Sequence, residues 1–585
     1  MSGKYPDIED EEFYEKINTI YKRFTIPRRK KTLEEICFPK KFQLQLPQEF
    51  LAEYLSPRTP WTSMLVYHRI GAGKTCTAIR IAEKWKRLRR ILVVVPASLK
   101  GNFRSELRSR CADDDYLKPA ERTRLAQLHP SDPEYREIIQ RSDERIDKVY
   151  EIYSYNKFVQ LSQDNQINLR NSVLIIDEIQ NMVSEEGTYY ATLYRMIHDA
   201  PADLRIVLLS ATPMFDKPNE IALTMNLLRI PQELPTGRDF YKTFVRIIKR
   251  PDGKYYYKTK NMDYFKQCIR GYVSYFRGAP PYAFPQLVVR YVKVEMSDFQ
   301  YQAYKDVIRS EEAKYKRRKS KDIDPRDLGA IKALTVKNLP NNFFIGTRIV
   351  SNIVFPNRKI NEEGFRSFKG ESATTDLEIY SPKFARIIRK IGNARGKVFV
   401  YSSFKEYGGI KSLTRALDEN GYKNYIPHGE GPKRYAVWSG DEDIRTKDEI
   451  RAVYNHPNNL YGKSVKVLLG SPSIREGVSL TAVQQVHVLE PYWNQARLDQ
   501  VIGRASRFCS HKDVPEERRI VKVYIYIAVR EEEPQTVDEY IWNLAVQKNK
   551  LVREFERSLK EVAIDCEINK NANVYEGEDD ITCET

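Results

Sequence analysis

Residues 63–75, SMLVYHRIGAGKT, constrain the fold of this chain more than any other stretch. Apolar residues over 63–67 predict a buried strand, and apolar residues at helical spacing follow from Ala78 to Trp85. A strand, a glycine loop and a helix that opens on Lys-Thr let backbone N–H groups and a helix N-terminus surround phosphate groups. The predicted phosphate site consists of His68, Arg69, Ile70, Gly71, Ala72, Gly73, Lys74 and Thr75.

The loop predicts ATP and Mg²⁺ as cofactors. Lys74 is expected to reach the β- and γ-phosphates, and the Thr75 hydroxyl is expected to bind Mg²⁺. One position departs from the full G-x-x-x-x-G-K-[ST] pattern, because His68 stands where the first glycine falls. The remaining GxGKT core also fits a chance turn before a helix, so the interpretation depends on the rest of the chain.

A second motif, VLIIDEIQ over 173–180, brings two carboxylates to the end of a buried strand. Asp177 is expected to bind Mg²⁺, and Glu178 to orient and polarise the attacking water. An ordinary strand-to-turn junction is the alternative, but adjacent buried carboxylates are costly without a cation. The strand RIVLLSATP (205–213) follows, and the predicted coupling residues at these two strand ends are Gln180, Ser210, Ala211 and Thr212.

Alternating strands and helices return from residue 381 and lead to the segment QVIGRASR, 500–507. Gln500, Arg504 and Arg507 are spaced i, i+4 and i+7, which predicts one shared helix face. The two arginines are interpreted as arginine fingers, and Gln500 as a further nucleotide contact. Arginine fingers raise phosphoryl-transfer rates by roughly 10³–10⁵. A solvated basic face is the alternative.

Several polar residues are candidates for base and backbone contacts. Gln48, about twenty-five residues before the phosphate loop, is a candidate for reading adenine, against the alternative of an ordinary surface glutamine. Ligands of open α/β sheets bind beyond the strand carboxyl ends. The nucleic-acid candidates at such ends are Ser98, Lys100, Asn102, Ser402 and Ser471.

The expected fold class is α/β, with two parallel-sheet domains and a mainly helical insertion between them. The predicted boundaries are an N-terminal extension 1–40, a first domain 41–230, an insertion 231–380, a second domain 381–545, and a C-terminal helix with an acidic tail 546–585. The apolar spacing over 538–563 predicts an amphipathic helix that packs back on the second domain or docks a partner.

Composition restricts the partners and the compartment. The chain has 585 residues and a formal charge of +18, so a polyanion partner is plausible and a disordered chain is excluded by 41% hydrophobic residues. Seven scattered cysteines without C-x-x-C argue against a zinc site or a disulfide framework, and indicate a reducing compartment. No signal peptide or membrane-spanning run is apparent, which predicts an intracellular protein without a membrane partner.

In their order, GxGKT, DEIQ, SAT, EGVSLT and QVIGRASR resemble the motifs of superfamily 2 helicase-like ATPases. The resemblance implies two RecA-like domains and a coupling role for Glu476 and Gly477. VVVPASLKGNFRSEL (93–107), MSDFQYQAY (296–304) and KVFVYSSF (397–404) look like the SWI/SNF-type branch. Residues 42–79, GYVSYFRG (271–278) and SNIVFP (351–356) resemble the poxvirus-like transcription ATPases of large DNA viruses.

That resemblance implies a DNA-dependent ATPase that is packaged in virions and acts in the initiation of viral transcription, or in its elongation and termination. The implied partners are nucleic acid, with double-stranded DNA favoured over single strands or RNA, and a viral RNA polymerase or transcription factor subunit. The implied location is the virion and the host-cell cytoplasm. A strand-unwinding helicase, a non-catalytic scaffold subunit and a restriction-type translocase subunit are the alternatives.

Overall fold

The computed structural model describes residues 5–28, 31–69, 71–128, 132–184, 187–249, 251, 255–319, 344–475, 478–575 and 578–584. Among the predicted site residues, Ile70, Glu476 and Gly477 lie outside the described residues. The chain divides into two compact units. The first contains residues 1–280 and 550–585, and the second contains residues 281–549.

Two parallel sheets and one antiparallel hairpin contain the described strands. The first unit has a six-stranded sheet in the order β3-β2-β4-β5-β1-β8 and the hairpin β6-β7, and the second has a seven-stranded sheet in the order β11-β12-β13-β10-β14-β15-β9. The strands are β1 Ser63–His68, β2 Arg90–Val95, β3 Tyr150–Ser154, β4 Ser172–Ile176, β5 Arg205–Ser210, β6 Val245–Lys249, β7 Tyr255–Thr259, β8 Val273–Phe276, β9 Gln286–Glu295, β10 Lys397–Tyr401, β11 Lys423–Asn424, β12 Arg434–Trp438, β13 Val467–Gly470, β14 Val483–Val488 and β15 Ile520–Val529.

Helices connect these strands. Those of residues 5–319 are α1 Phe13–Ile20, α2 Leu33–Cys37, α3 Leu46–Tyr54, α4 Lys74–Trp85, α5 Lys100–Leu107, α6 Pro119–Leu125, α7 Pro133–Asp147, α8 Tyr155–Gln163, α9 Thr188–Asp199, α10 Glu220–Leu227, α11 Gly237–Phe244, α12 Met262–Ile269 and α13 Asp298–Lys319. Those of residues 344–584 are α14 Ile345–Asn352, α15 Glu362–Ser367, α16 Leu377–Tyr380, α17 Pro382–Asn393, α18 Ile410–Glu419, α19 Tyr425–His428, α20 Ile444–Asn455, α21 Gln495–Ala505, α22 Val537–Glu561 and α23 Cys566–Asn573.

The predicted fold class is confirmed by these two parallel α/β sheets. The central strands β1, β2, β4 and β5 are apolar almost throughout because both faces of a parallel sheet are covered by helices. Since all strands of a sheet point the same way, their carboxyl ends meet along one edge. The phosphate loop follows β1 on that edge, the two carboxylates follow β4, and Ser210 ends β5.

The observed units differ from the predicted boundaries. Residues 231–280 belong to the first unit, where β8 pairs with β1, and residues 281–380 belong to the second, where β9 pairs with β15. β8 has only four residues, and most of β9 is exposed at the sheet edge, so neither has the long apolar run that identifies a central strand. Helices α13 to α16 of the second unit account for the helical character expected between residues 231 and 380.

The C-terminal segment belongs to the first unit. The long helix α22 predicted from its apolar spacing is present, and its first part packs on the second domain as expected, because Ile541 lies in the core of the second unit. Its last part belongs to the first unit, where Phe555 contacts Phe240 and Phe265. Ile564 and Ile568 then complete the core of the first sheet. No helix of the described ranges is both long and apolar enough to cross a bilayer.

The inference that the chain lacks a disulfide framework is wrong. Cys76 on α4 is bonded to Cys111, and Cys566 at the start of α23 is bonded to Cys583. The partners are 35 and 17 residues apart, so pairing depends on how the tertiary structure folds each segment back, and no short cysteine motif marks it. The inferred reducing compartment therefore loses the observation on which it was based.

Candidate active site

The phosphate loop has the backbone that its glycines predict. Gly71 and Gly73 have φ values of 84° and 65°, a region that glycine enters without a Cβ penalty, and α4 begins directly afterwards at Lys74. A Cβ atom on Gly73 would collide with the side-chain amide of Gln48. The helix N-terminus and the adjacent backbone N–H groups are therefore available for an anion beside Lys74.

Gln48 and Gln45 support this loop from α3. The Gln48 amide nitrogen donates to the Gly73 carbonyl at 3.2 Å, and its oxygen accepts from the Gln45 N–H at 2.9 Å. The Gln45 side chain lies 3.4 Å from the Gly71 carbonyl. Gln48 is only 4% exposed, so it is not the surface glutamine of the alternative interpretation. Its contacts here are with loop backbone, and reading of adenine stays a prediction.

Lys74 joins the loop to the two carboxylates at the end of β4. Its Nζ lies 2.6 Å from Glu178 Oε1 and 3.5 Å from Asp177 Oδ1. Burial raises the pKa of Asp177, and the charge of Glu178 adds to this, although Lys74 opposes it. Burial would also raise the pKa of Glu178, but the Lys74 charge and hydrogen bonds from Gln180 and Lys74 outweigh it and hold that pKa below its usual value. Glu178 is therefore an ionised acceptor.

Glu178 has a left-handed backbone, with φ of 51°, which is unusual for a residue other than glycine. The Tyr155 hydroxyl lies 2.6 Å from the Asp177 carbonyl and 3.0 Å from the Glu178 carbonyl, and so stabilises this turn. Strain of this kind persists where surrounding contacts impose it, and it is concentrated at functional sites. Sequence reasoning missed Tyr155, which belongs to none of the quoted motifs and which the structure places at the start of α8.

Gln180 connects the hydrolytic carboxylate to the end of β5. Its amide nitrogen donates to Glu178 Oε2 at 2.5 Å, and its oxygen accepts from Ser210 Oγ at 2.7 Å. Ser210 Oγ in turn accepts from the Thr212 N–H at 3.0 Å. A glutamine can make both contacts because one end of its amide donates and the other accepts. The predicted coupling residues of the first unit are thus brought together.

A buried polar chain runs from the phosphate loop to the C-terminal segment. His68 Nε2 lies 2.9 Å from Ser274 Oγ on β8, and Ser274 Oγ donates to Asp565 Oδ2 at 2.6 Å. Burial lowers the pKa of His68 to about 3, with a further contribution from Lys74, so its imidazole is neutral. Burial raises the pKa of Asp565 to about 7. Ser274 lies in GYVSYFRG, which the sequence marked only by resemblance, and Asp565 lies in no quoted motif, so sequence reasoning assigned neither of them to the site.

The side chain of Arg69 interacts with residues of β8 and α22. Its guanidinium hydrogen-bonds to Tyr275 and interacts electrostatically with Glu556 of α22. Its backbone N–H donates to the Phe276 carbonyl at 3.0 Å, which anchors the start of the loop to β8. Ala72 is fully buried. These contacts position the loop backbone.

In the second unit, the predicted single helix face is only partly present. α21 ends at Ala505, so Gln500 and Arg504 lie on the helix while Arg507 lies in the turn that follows it. The Arg504 carbonyl accepts from the Leu480 N–H at 2.9 Å. Arg507 is half-buried, and within the described residues its Nε has no hydrogen-bond partner and its guanidinium no ion pair. A cation held in this way can bind an anion without first breaking an internal contact.

The nucleic-acid candidates fall into two groups. Ser98 and Asn102 are exposed, and Lys100 is half-exposed, beyond the carboxyl end of β2. Ser402 and Ser471 are buried, which contradicts the expectation that they face a ligand. The Ser402 hydroxyl donates to Glu490 at 2.9 Å because this buried carboxylate needs donors.

The side chains at this edge of the first sheet fit a magnesium nucleotide. Mg²⁺ prefers oxygen ligands, and Thr75 and Asp177 supply a hydroxyl and a carboxylate. Among the described residues, Lys74 is the cation that forms ion pairs with Asp177 and Glu178, so a second cation would reduce the repulsion between these two carboxylates. Chemically, the arrangement can bind a triphosphate and polarise a water next to it.

The chain is similar to two families of helicase domains and to a viral protein over nearly its whole length. The SNF2-related domain family matches residues 47–336, and the family of helicase conserved C-terminal domains matches residues 382–509. An Acanthamoeba polyphaga mimivirus protein named "Putative ATP-dependent RNA helicase R563" is 53% identical over 581 residues, which cover 99% of each chain.

More distant relatives also come from large DNA viruses. The "Putative helicase 087L" of Invertebrate iridescent virus 3 is 26% identical over 97% of this chain and 57% of its own length. A "Termination factor NPH-I homolog" of African swine fever virus, isolate Tick/Malawi/Lil 20-1/1983, is 26% identical over 86% of this chain and 76% of its own.

Proposed function

Because this chain belongs to the SNF2-related, superfamily 2 helicase-like ATPases of large DNA viruses, we propose that it is a DNA-dependent ATPase that translocates on its track during viral transcription. It is a helicase-type enzyme that hydrolyses ATP, and nucleic acid is the partner of its family. The coupling to transcription, the use of Mg²⁺ and the choice of double-stranded DNA are the finer parts of the proposal.

The hydrolytic step is assigned to the side chains at the end of β4. Mg²⁺, held by Thr75 and Asp177, supplies positive charge at the phosphates when it is bound. Lys74 breaks its ion pair with Glu178 and binds the β- and γ-phosphates instead. Glu178, ionised and freed from Lys74, orients a water molecule by accepting a hydrogen bond from it. As the water oxygen bonds to the γ-phosphorus, Glu178 takes the proton, and the bond from that phosphorus to the β,γ-bridging oxygen breaks to release ADP. The Gly71–Gly73 backbone holds the phosphates in line.

The observation that carries the proposal is the contact of Gln180 with both Glu178 and Ser210. It joins the carboxylate that orients water to the residue that ends β5. A non-catalytic scaffold would have no need for a lysine paired with two adjacent carboxylates and for a buried amide that bridges one of them to the next strand. A change at the end of β5 can reach Glu178 through one side chain, as coupling between hydrolysis and movement requires.

The role in transcription is proposed from the relatives. The African swine fever virus relative is named as a termination factor homolog, and the poxvirus-like resemblance includes initiation and termination ATPases. We therefore propose a viral RNA polymerase or transcription factor subunit as the protein partner. The virion and the virus factory in the host cytoplasm are the proposed locations.

Strand unwinding is the second candidate function, favoured by the name of the mimivirus relative that is 53% identical. A forked substrate separates the two functions. A translocase displaces a bound protein from the duplex without parting the strands, whereas an unwinding helicase releases a labelled strand.

The primary experiment is ATP turnover by the full chain alone and with double-stranded DNA, single-stranded DNA or RNA, at stated salt. Lys74→Ala is the blank, and Lys84→Ala, an exposed lysine on the same helix, is the matched control. Stimulation by one nucleic acid supports the motor and identifies its track. Turnover that never exceeds the blank, with any nucleic acid, would refute the proposal.

The proposed arginine fingers have a test of their own. Arg504→Lys and Arg507→Lys keep the charge but lose the planar fork, so we expect kcat to fall at least a hundredfold while nucleotide affinity changes little. Arg451→Lys, at an exposed ion pair with Asp448 in the second unit, is the control. Full activity in Arg507→Lys would remove that residue from the hydrolytic machinery.

A further inference from the structure

A cluster of four cations lies on one face of the second sheet, away from the predicted nucleotide and nucleic-acid residues. Arg290 is on the edge strand β9, Lys522 is on β15, and Arg386 and Lys390 are on α17. We call these four residues the β9–α17 cluster.

The register of the sheet brings the cluster together. Val288 pairs with Lys522 and Arg290 pairs with Tyr524, and residues paired across parallel strands share a face. Helix α17 packs on this face, because its Ile387 and Ile391 lie in one core with Val292 of β9 and Tyr524 of β15. Lys390 Nζ lies 4.2 Å from the centre of the Tyr524 ring. Arg386 is one helical turn before Lys390, so it projects from the same side of α17.

The four charges are not neutralised by carboxylates. Within the described residues, none of them forms an ion pair or a side-chain hydrogen bond. Besides partial burial, the charges of Arg290, Arg386 and Lys522 lower the pKa of Lys390, and no acidic group raises it. By contrast, Arg389 on the same helix lies 2.5 Å from Glu378.

The cluster is open to solvent where binding requires it. Arg290, Arg386 and Lys522 are exposed, and Lys390 is partly covered where it lies on Tyr524. Four like charges at this spacing repel one another, so the arrangement costs stability unless an anion is shared among them. Arg290 and Lys522 form one row on adjacent strands, which are about 4.8 Å apart. Arg386 and Lys390 form a second row on successive turns of α17, about 5–6 Å apart. Two rows of cations fit several phosphates better than a single one.

The position of the cluster separates it from the predicted track. Lys522 is the third of ten residues in β15, and Arg290 is the fifth of ten in β9, so both lie in the amino-terminal halves of their strands. Ligands of such sheets bind beyond the carboxyl ends of the strands, which in this unit include the ends of β10 at Tyr401 and β13 at Gly470. A nucleic acid that contacts both regions of this unit must extend beyond the strand carboxyl ends.

We propose that the β9–α17 cluster is a second binding site for the sugar-phosphate backbone of nucleic acid, distinct from the contacts at the strand carboxyl ends. The inference rests on the proposed function, because it requires a nucleic-acid track. Backbone contacts position a nucleic acid without reading its sequence. The site therefore increases affinity and the length of nucleic acid bound, and leaves the chemistry of hydrolysis unchanged.

The test uses the full chain with three exposed charges removed: Arg290→Gln, Arg386→Gln and Lys522→Gln together. Lys390 is kept so that its packing on Tyr524 is undisturbed. The matched control removes three exposed cations that are paired with carboxylates in the same unit: Arg389→Gln, Lys359→Gln and Arg451→Gln. Both variants lose the same formal charge.

Binding is measured by fluorescence anisotropy on labelled double-stranded DNA, single-stranded DNA and RNA over a series of salt concentrations. For the cluster variant we expect affinity to fall at least tenfold near 0.1 M salt, and the slope of log affinity against log salt to become smaller by about 2–3. The control should keep the wild-type slope. ATP turnover without nucleic acid should be equal in all three proteins, and the cluster variant should need more nucleic acid for half-maximal stimulation.

Equal affinities and slopes for the cluster and control variants would overturn the inference, as would a lower turnover of the cluster variant without nucleic acid. A wild-type protein that neither binds nor responds to any of the three nucleic acids would overturn the proposed function, and with it this inference. The three probes show which nucleic acid the cluster prefers.

Discussion

The side-chain oxygen of Gln180 accepts a hydrogen bond from Ser210 Oγ at 2.7 Å, which joins the end of β4 to the end of β5. The same amide reaches Glu178 as well, because its nitrogen donates to Glu178 Oε2 at 2.5 Å. One side chain, with a donor and an acceptor on its amide, therefore connects Glu178 to the end of β5.

The first prediction concerns this link. Gln180→Ala should lower nucleic-acid-stimulated turnover by about 10- to 100-fold, because a hydrogen bond to a charged group is worth about 1.5–3 kcal/mol. Ser210→Ala should lower it less, and the double variant should lose less than the sum of the two single losses in free energy. Turnover is measured with saturating nucleic acid, and nucleotide affinity is measured separately. Strictly additive losses would show that the two residues act independently.

The second prediction concerns Asp565. Its folded-state pKa is raised from 3.8 to about 7 by burial, so between these values the folded chain keeps a proton that the unfolded chain has lost. The free energy of unfolding therefore falls as pH rises through this window, by up to about 4 kcal/mol. Asp565→Asn resembles the protonated acid and should flatten this fall, whereas Asp263→Asn, at an exposed position, should not. Urea unfolding from pH 4.5 to 7.5 measures the difference.

An unchanged pH dependence in Asp565→Asn would contradict this expectation. The groups that face Asp565 are the Ser274 hydroxyl, the Tyr275 N–H and the Asn569 amide, and none of them titrates in this range. A flattened profile would accordingly be assigned to Asp565 itself. A change in nucleotide affinity in the same variant would show that the chain through Ser274 to His68 also positions the phosphate loop.

The third prediction concerns a buried ion pair in the second unit. Lys383 Nζ lies 2.7 Å from Asp538 Oδ2, and both side chains are 1% exposed. Lys383→Met should lower the free energy of unfolding by about 3–5 kcal/mol, because it leaves Asp538 charged and buried. Lys383→Met with Asp538→Leu should recover most of this loss. Arg389→Gln, which breaks the exposed pair with Glu378, should cost less than about 1 kcal/mol.

Chemical denaturation of the three variants checks that order. A loss for Lys383→Met no larger than that for Arg389→Gln would show that the pair is not effectively desolvated. The Lys383 amine also donates to Asn352 at 2.9 Å, and Asn352 donates to Glu490 at 3.0 Å. The segment SNIVFP, which the sequence marked only by resemblance, is thus part of the polar network that holds Ser402.

The fourth prediction concerns the disulfide bonds. Replacing both Cys566 and Cys583 by alanine should lower the free energy of unfolding under oxidising conditions by about 3 kcal/mol, as expected for a loop of this length. The Cys76 and Cys111 pair closes a longer loop and should contribute slightly more. Cys268 is a free cysteine, so Cys268→Ala should not change the difference in the free energy of unfolding between oxidised and reduced protein.

Thermal unfolding with and without a thiol reductant measures these contributions. If reductant has no effect on the wild type, the bonds do not stabilise the folded chain in solution. If each double variant shows a smaller effect of reductant on the unfolding temperature than the wild type does, both bonds stabilise the folded protein under oxidising conditions. The folded protein is then less stable under reducing conditions. Cys76 follows Lys74 by two residues, so turnover should be measured in both conditions.

Much of the first unit could be predicted from the sequence. The apolar runs that become β1, β2, β4 and β5, and the residues that follow them, depend on local patterns with a fixed physical meaning. The contacts of those residues could not be predicted. Gln180 lies 30 residues from Ser210, and His68 lies nearly 500 residues from Asp565, so only the packed chain reveals that these groups touch.

The amino-acid sequence by itself determined the fold class and the family, and it predicted a nucleotide site, because each depends on short segments whose spacing sets strand, loop and helix. Tertiary structure decided the limits of the two units, the disulfide partners, the burial of Ser402 and Ser471, and the gathering of Arg290, Arg386, Lys390 and Lys522 on one face. Those features depend on strand order and helix packing. Strand order and helix packing are set by the free energy of burying apolar surface over the whole chain, so they cannot be inferred from any short segment.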